Sequence, residues 1–135
     1  MLKRLLITAA VLALVLPACS SDDGGIGVAE SDYKIVPEES SAAAGELTFD
    51  IHNDAEQTHE FVIFKTDLAA DELPTNADGD VDEEGEGVEH IDEIEDVTAG
   101  SDKSLTVTLD AGNYVFICNL PGHYRQGMHV TFTVT

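Results

Sequence analysis

From Tyr33 onward, apolar and polar residues alternate in short stretches, and each stretch predicts one half-buried strand. Leu47-Thr48-Phe49-Asp50-Ile51-His52 is a clean case, with the even positions facing solvent. His59-Glu60-Phe61-Val62-Ile63-Phe64 is denser in apolar residues and predicts a strand covered on both sides at one end. Leu105, Val107 and Leu109 alternate with Thr106 and Thr108. Asp110-Ala111-Gly112-Asn113 then predicts a tight turn into Tyr114-Val115-Phe116-Ile117-Cys118. Val130-Thr131-Phe132-Thr133-Val134-Thr135 gives a last strand. Weaker patterns at 33–36 and 91–97 bring the count to about seven, which predicts an all-β sandwich of two sheets.

One long break interrupts this rhythm, between residues 66 and 90. Asp67–Leu73 fits a helical turn or two, and Asn76–Glu89 is acidic and glycine-rich with almost nothing to bury. The expectation is a solvated acidic loop over 76–90, long enough for a function of its own. Asp78, Asp80, Asp82, Glu86 and Glu89 fall at calcium-loop spacing. Glu83 stands where such a loop needs glycine, and no helices flank it.

The N-terminus follows a different pattern. Met1-Leu2-Lys3-Arg4 is cationic, and Leu5–Leu16 is apolar but too short to span a bilayer. Leu16-Pro17-Ala18-Cys19 resembles the end of a prokaryotic lipoprotein signal. The resulting expectation is a signal peptide over 1–18, a lipid on Cys19, a flexible tether over 19–32 and a domain over 33–135. The domain then sits on the outer face of the cell membrane. An uncleaved membrane helix would place it outside the cytoplasm as well.

Charge changes which partners are credible. The chain carries −21, and residues 1–18 hold two of its six basic residues and none of its 27 acidic ones, so the remainder carries −23. Such a surface repels nucleic acid and anionic lipid and attracts a basic partner. Solubility alone, or a high-salt habitat, accounts for it equally well.

Candidate chemistry begins with cysteine. With Cys19 acylated, Cys118 is a lone thiol in an oxidising compartment, where it has no partner for a disulfide. It is either a buried inert residue or a metal ligand. Its neighbours favour the second reading. In Cys118-Asn119-Leu120-Pro121-Gly122-His123-Tyr124-Arg125-Gln126-Gly127-Met128, a thiol, an imidazole and a thioether lie within eleven residues. Pro121, Gly122 and Gly127 supply the bends that fold them onto one point. Two soft donors and one borderline donor suit copper, and a thioether in the fourth position fits zinc poorly. A second imidazole must come from elsewhere. His52 shares the solvated face with Thr48 and Asp50, His90 lies in the acidic loop, and His129 points opposite to Met128. His59 opens the most apolar strand and shares its face with Phe61 and Ile63. The zinc-protease motif that His59-Glu60 begins fails at Ile63.

Asn53, His59, Tyr114–Cys118 and the C-x4-H-x4-M spacing running into a final strand together resemble the type 1 blue-copper proteins, the cupredoxins. The ligand loop is most similar to that of the sulfocyanin, rusticyanin and auracyanin group. The resemblance spans roughly residues 33–135 and implies a Greek-key sandwich. It implies one copper held by His59, Cys118, His123 and Met128, with Asn53 supporting the ligands. Glu60 departs from the Asn or Ser that many relatives have after the first histidine. The implied function is single-electron transfer by Cu(II)/Cu(I) cycling, by a monomer that is not an enzyme. Redox proteins such as a basic c-type cytochrome or a membrane oxidoreductase are the implied partners. Leu120, Pro121 and Tyr124 are expected to form an apolar docking rim around His123. Copper delivery or storage is the alternative, and the scarcity of Met counts against it.

Overall fold

The structure, a computed structural model, describes residues 24–135. The expected signal peptide over 1–18 and the expected lipid on Cys19 lie outside the described residues. Nine strands follow one another. They are β1 (Ile26–Ser31), β2 (Lys34–Pro37), β3 (Ser41–Ala42), β4 (Gly45–Asn53), β5 (His59–Lys65), β6 (Glu89–Val97), β7 (Asp102–Leu109), β8 (Gly112–Ile117) and β9 (His129–Val134). They form two mixed sheets, ordered β2-β1-β4-β7 and β3-β9-β8-β5-β6. The chain changes sheet at five points, between β2 and β3, β3 and β4, β4 and β5, β6 and β7, and β7 and β8. Pairing is antiparallel except for β1 with β4 and β3 with β9. Among the described residues no helix is long and apolar enough to cross a membrane.

Every strand expected from the alternation is present, and β1 and β3 are additional. The tether expected over 19–32 is corrected by β1, which pairs with β2 on one side and β4 on the other. Ile26, Val28 and Glu30 take alternate places along it, and Val28 and Glu30 are buried. A glutamate in an inward position hid the period. The two-residue β3 is too short to carry any.

The core explains the two kinds of strand pattern. Phe49, Phe61, Phe116 and Phe132 meet between the sheets with ring centroids 4.9–5.7 Å apart. A second cluster lies on the outer side of the five-stranded sheet, where Val62, Phe64, Val115 and Ile117 meet Leu73, Val81 and Tyr124. Phe61 and Ile63 therefore fill the sandwich while Val62 and Phe64 lie under the long segment between β5 and β6. That is why β5 reads as nearly continuous apolar sequence.

Most of this segment is exposed, as expected, but it is pinned across the sheet as a strap. Val81 is buried, Thr75 and Val81 form an isolated bridge, and Asn76 Oδ1 accepts from the N–H groups of Asp78, Gly79 and Asp80. The helical turns anticipated at 67–73 reduce to one turn closed by Glu72 N–H on the Ala69 carbonyl. Leu73 N–H donates instead to Tyr124 Oη, which diverts the backbone from a helix. His90 lies in β6 rather than in the loop.

Candidate metal centre

Four elements meet at one end of the sandwich. Asn53 ends β4, His59 begins β5, Cys118 directly follows β8, and His123 and Met128 lie in the connection to β9. That connection is folded by its own backbone. His123 N–H donates to the Leu120 carbonyl (2.9 Å), Met128 N–H to the His123 carbonyl (3.2 Å) and Cys118 N–H to the Met128 carbonyl (3.1 Å). A one-turn 3-10 helix, Tyr124–Gln126, sits between the histidine and the methionine. Gly122 (φ 79°) and Gly127 (φ 103°) take left-handed conformations that a side chain would strain.

The result is a triangle of donors. His59 Nδ1 lies 3.2 Å from His123 Nδ1, and Cys118 Sγ lies 3.3 Å from His123 Nδ1 and 3.9 Å from His59 Nδ1. His59 and Cys118 are fully buried and His123 is 8% exposed. Three lone-pair atoms facing one another this closely need a proton or a cation between them. Burial lowers the pKa of both histidines, so the imidazoles are held in the neutral form that ligates metals. Burial also pushes the Cys118 thiol up to about 12. Metal-free, it keeps its proton, and a metal must displace that proton to bind. One thiol and two neutral imidazoles fit a borderline-to-soft ion such as copper. Met128 is fully buried in the same core, its backbone tied to both Cys118 and His123.

The surroundings hold these donors in place. Asn53 donates from Nδ2 to the carbonyls of Gln57 (2.8 Å) and Val97 (2.7 Å) and accepts from Ala55 N–H (2.8 Å). Val97 is the register partner of His59, so Asn53 connects the two sheets beside that histidine. Glu60 N–H points at Cys118 Sγ (3.5 Å), and Glu60 Oε1 accepts from Asn119 N–H (2.9 Å). Burial, opposed by that bond, brings the Glu60 carboxyl up to about 7. The departure at Glu60 thus places a carboxyl clasp over the residue after the thiol. His59 Nε2 is buried, with the Asp32 carboxylate 3.5 Å away at ion-pair rather than hydrogen-bond distance. Tyr33 packs edge-on against His123, with centroids 5.2 Å apart.

The strap reaches the same loop. Asn119 accepts from Val81 N–H (2.8 Å) and donates to the Val81 carbonyl (3.1 Å) and Glu83 (3.0 Å), while Asp80 accepts from Gly122 N–H (2.8 Å). Sequence reasoning missed Asp32, Glu60's clasp, Asn119 and Asp80. Asp32 was hidden by the tether assignment, and the strap contacts carry no local periodicity. Tyr124 does not form the expected rim, because it is buried and its hydroxyl donates to the Ala70 carbonyl (2.8 Å). His52 is half exposed and paired with Asp102, as its parity implies. His129 is half-buried against Tyr124. Among the described residues, the five acids at calcium spacing do not converge. Glu83, His90 and Glu93 do lie close together, but their side chains are engaged with Asn119 and with each other.

No family model matches this chain, and no curated protein matches its sequence. Solved structures do resemble it. Auracyanin A, titled a "blue" copper protein from Chloroflexus aurantiacus, is 19% identical with a TM-score of 0.55, covering 83% of this chain and all of its own. Rusticyanin from Thiobacillus ferrooxidans is 16% identical with a TM-score of 0.54, covering 81% of this chain and 76% of its own. A multi-copper oxidase from Pediococcus acidilactici is 15% identical with a TM-score of 0.54, covering 98% of this chain but 31% of its own. The fold is therefore that of the cupredoxins, an all-β sandwich with its donor set at one end.

Proposed function

We propose that this chain is an extracytoplasmic electron-transfer protein with one type 1 copper, held by His59, Cys118, His123 and Met128, and that it is not an enzyme. The observation that carries the reading is the buried triangle of His59 Nδ1, Cys118 Sγ and His123 Nδ1. When bound, copper supplies a one-electron Cu(II)/Cu(I) couple. The chain's residues do the rest. Two neutral imidazoles and a thiolate serve both oxidation states, and the Met128 thioether is a weak fourth donor. Glu60 N–H draws charge from the sulfur. Asn53 and the backbone bonds of the Cys118–Met128 loop fix the donors, so little moves when the charge changes.

The donor set leaves no position for a substrate, which supports a carrier over an oxidase. It also counts against copper delivery, for which an accessible and incomplete set is suited. His123 is the least buried of the four, beside exposed Pro121 and half-buried Leu120, and provides the way in for an electron. The partner is a basic redox protein, a c-type cytochrome or a membrane oxidoreductase, and the protein is held to the outer face of the membrane through Cys19.

The visible spectrum of the protein with Cu(II) tests the reading. Intense blue absorption from thiolate-to-metal charge transfer is expected, lost in Cys118→Ser. A colourless Cu(II) adduct of the intact protein overturns it.

A further inference from the structure

Glu30 has no part in the reading above, yet it is the most unusual residue in the fold. It occupies the third inward place on β1, after Ile26 and Val28. It is 0% exposed, and neither carboxyl oxygen has a hydrogen-bond partner within the protein. A buried carboxylate without a partner is far less stable than a buried carboxylic acid, so in the metal-free protein the group holds its proton above the ordinary carboxylate range. Burial first, and the charge of Glu60 second, push its pKa up to about 8.

Its position links it to the donor triangle. In the parallel β1–β4 pairing Glu30 lies opposite Asn53, whose amide bonds the carbonyl of Val97, the register partner of His59. The charge of Glu30 is felt at the Cys118 thiol, which it pushes upward. No hydrogen bond joins Glu30 to His59, Cys118, His123 or Met128. Other titratable groups surround it on every side. β1 runs on to Asp32, and β2 begins with exposed Lys34. After β4, Asp54 donates its N–H to the Glu30 carbonyl, and His52 is paired with Asp54 and Asp102. β5 brings His59 and Glu60, and Cys118 follows β8. Among the described residues no cation forms an ion pair with Glu30.

We propose that Glu30 is a charge-compensating acid of the metal centre, taking up one proton when the centre is reduced and releasing it on oxidation. The inference rests on the reading of the centre as a one-electron carrier. One electron arrives from a protein donor, and one proton from water forms the O–H bond on the Glu30 carboxylate. Oxidation returns the electron to a protein acceptor and the proton to solvent. The coupling is electrostatic, because an extra positive charge on the oxidised centre favours the carboxylate and its loss favours the acid. The protonated fraction is therefore higher in the reduced protein, and the midpoint potential falls as pH rises between the two Glu30 pKa values.

Two measurements test this. In the metal-free protein, carbon-13 NMR of the Glu30 carboxyl is followed from acid to alkaline pH. Titration well above the ordinary carboxylate range is expected, and an ordinary titration overturns the inference whatever the metal does. In the copper-loaded protein, the voltammetric midpoint is followed over the same range for the parent and Glu30→Gln. The parent slopes, and the variant stays blue and loses the slope. Glu30→Met, apolar and of similar volume, gives the same loss should the glutamine variant not fold. A flat parent, or a slope that survives in the variants and so belongs to Glu60, overturns the proposal. A parent that never turns blue overturns the reading of the centre and the coupling with it, an outcome the metal-free titration distinguishes from failure of the acid alone.

Discussion

Each donor at the centre does a different job, and single substitutions separate them. Met128→Leu keeps His59, Cys118 and His123 and is expected to stay blue, with a higher midpoint because a donor that favours Cu(II) is lost. Met128→Gln offers a harder oxygen and lowers it. His129→Ala, altering a side chain that packs on Tyr124, moves the midpoint less than either, and voltammetry of the three variants checks the order. Cys118 carries the proton balance of metal uptake. With its thiol at about 12 and both histidines neutral, Cu(I) binding leaves the net charge of the centre unchanged and releases one proton, so Cu(I) affinity gains about tenfold per pH unit through the neutral range. Calorimetry in buffers of differing ionisation enthalpy counts that proton. Glu30 has the opposite sign. Its folded-state pKa is raised, so its contribution to stability is complete below the ordinary carboxylate value and is lost as pH rises toward about 8. The metal-free protein is expected to lose about 1.4 kcal/mol per pH unit across that window. Glu60 adds in the same direction up to about 7. Denaturant unfolding of the parent beside Glu30→Gln isolates the Glu30 share.

At the scale of elements, the strap decides how firmly the donor loop is held. Asn119 joins Val81 and Glu83 to the residue after the thiol through three hydrogen bonds. Asn119→Ala leaves the N–H and carbonyl of buried Val81 without those partners and is expected to cost about 1–3 kcal/mol. Faster amide exchange at Val81 and Gly122 would mark the release of the strap. An unchanged exchange rate would mean that Leu73 and Val81 hold it by packing alone. The strands of the sandwich were legible because period-two alternation is a local signal, readable at Leu47–His52 and again at Val130–Thr135. The donor loop was legible because Cys118, His123 and Met128 are close in sequence. His59 needed a face argument, and the structure places it beside Cys118 and His123. What the sequence concealed depends on contacts between distant segments. β1 was disguised by one inward glutamate, and the strap by Asn119, thirty-eight residues from Val81. No periodicity announces a hydrogen bond of that span.

Over the whole molecule, negative charge dominates. Electron exchange with a basic partner is expected to slow as salt rises, since exposed charges are screened beyond about 8–10 Å at physiological ionic strength. Stopped-flow rates from low to high salt check this, and a constant rate would assign the acidic surface to solubility or habitat. The path of β1 adds an orientation to that encounter. β1 runs parallel to β4, so its first residues lie beside Glu46–Phe49 while its last lie beside Asn53 and the donors. Ile26 thus joins β4 at Phe49, in mid-strand and four residues short of the metal centre's end. From Ile26 to Glu30 the strand climbs about 13 Å toward it, at about 3.3 Å per residue. His123, the least buried of the donors, lies at the end toward which β1 climbs, so the way in for an electron points away from the described start of the chain, like a lamp on a post.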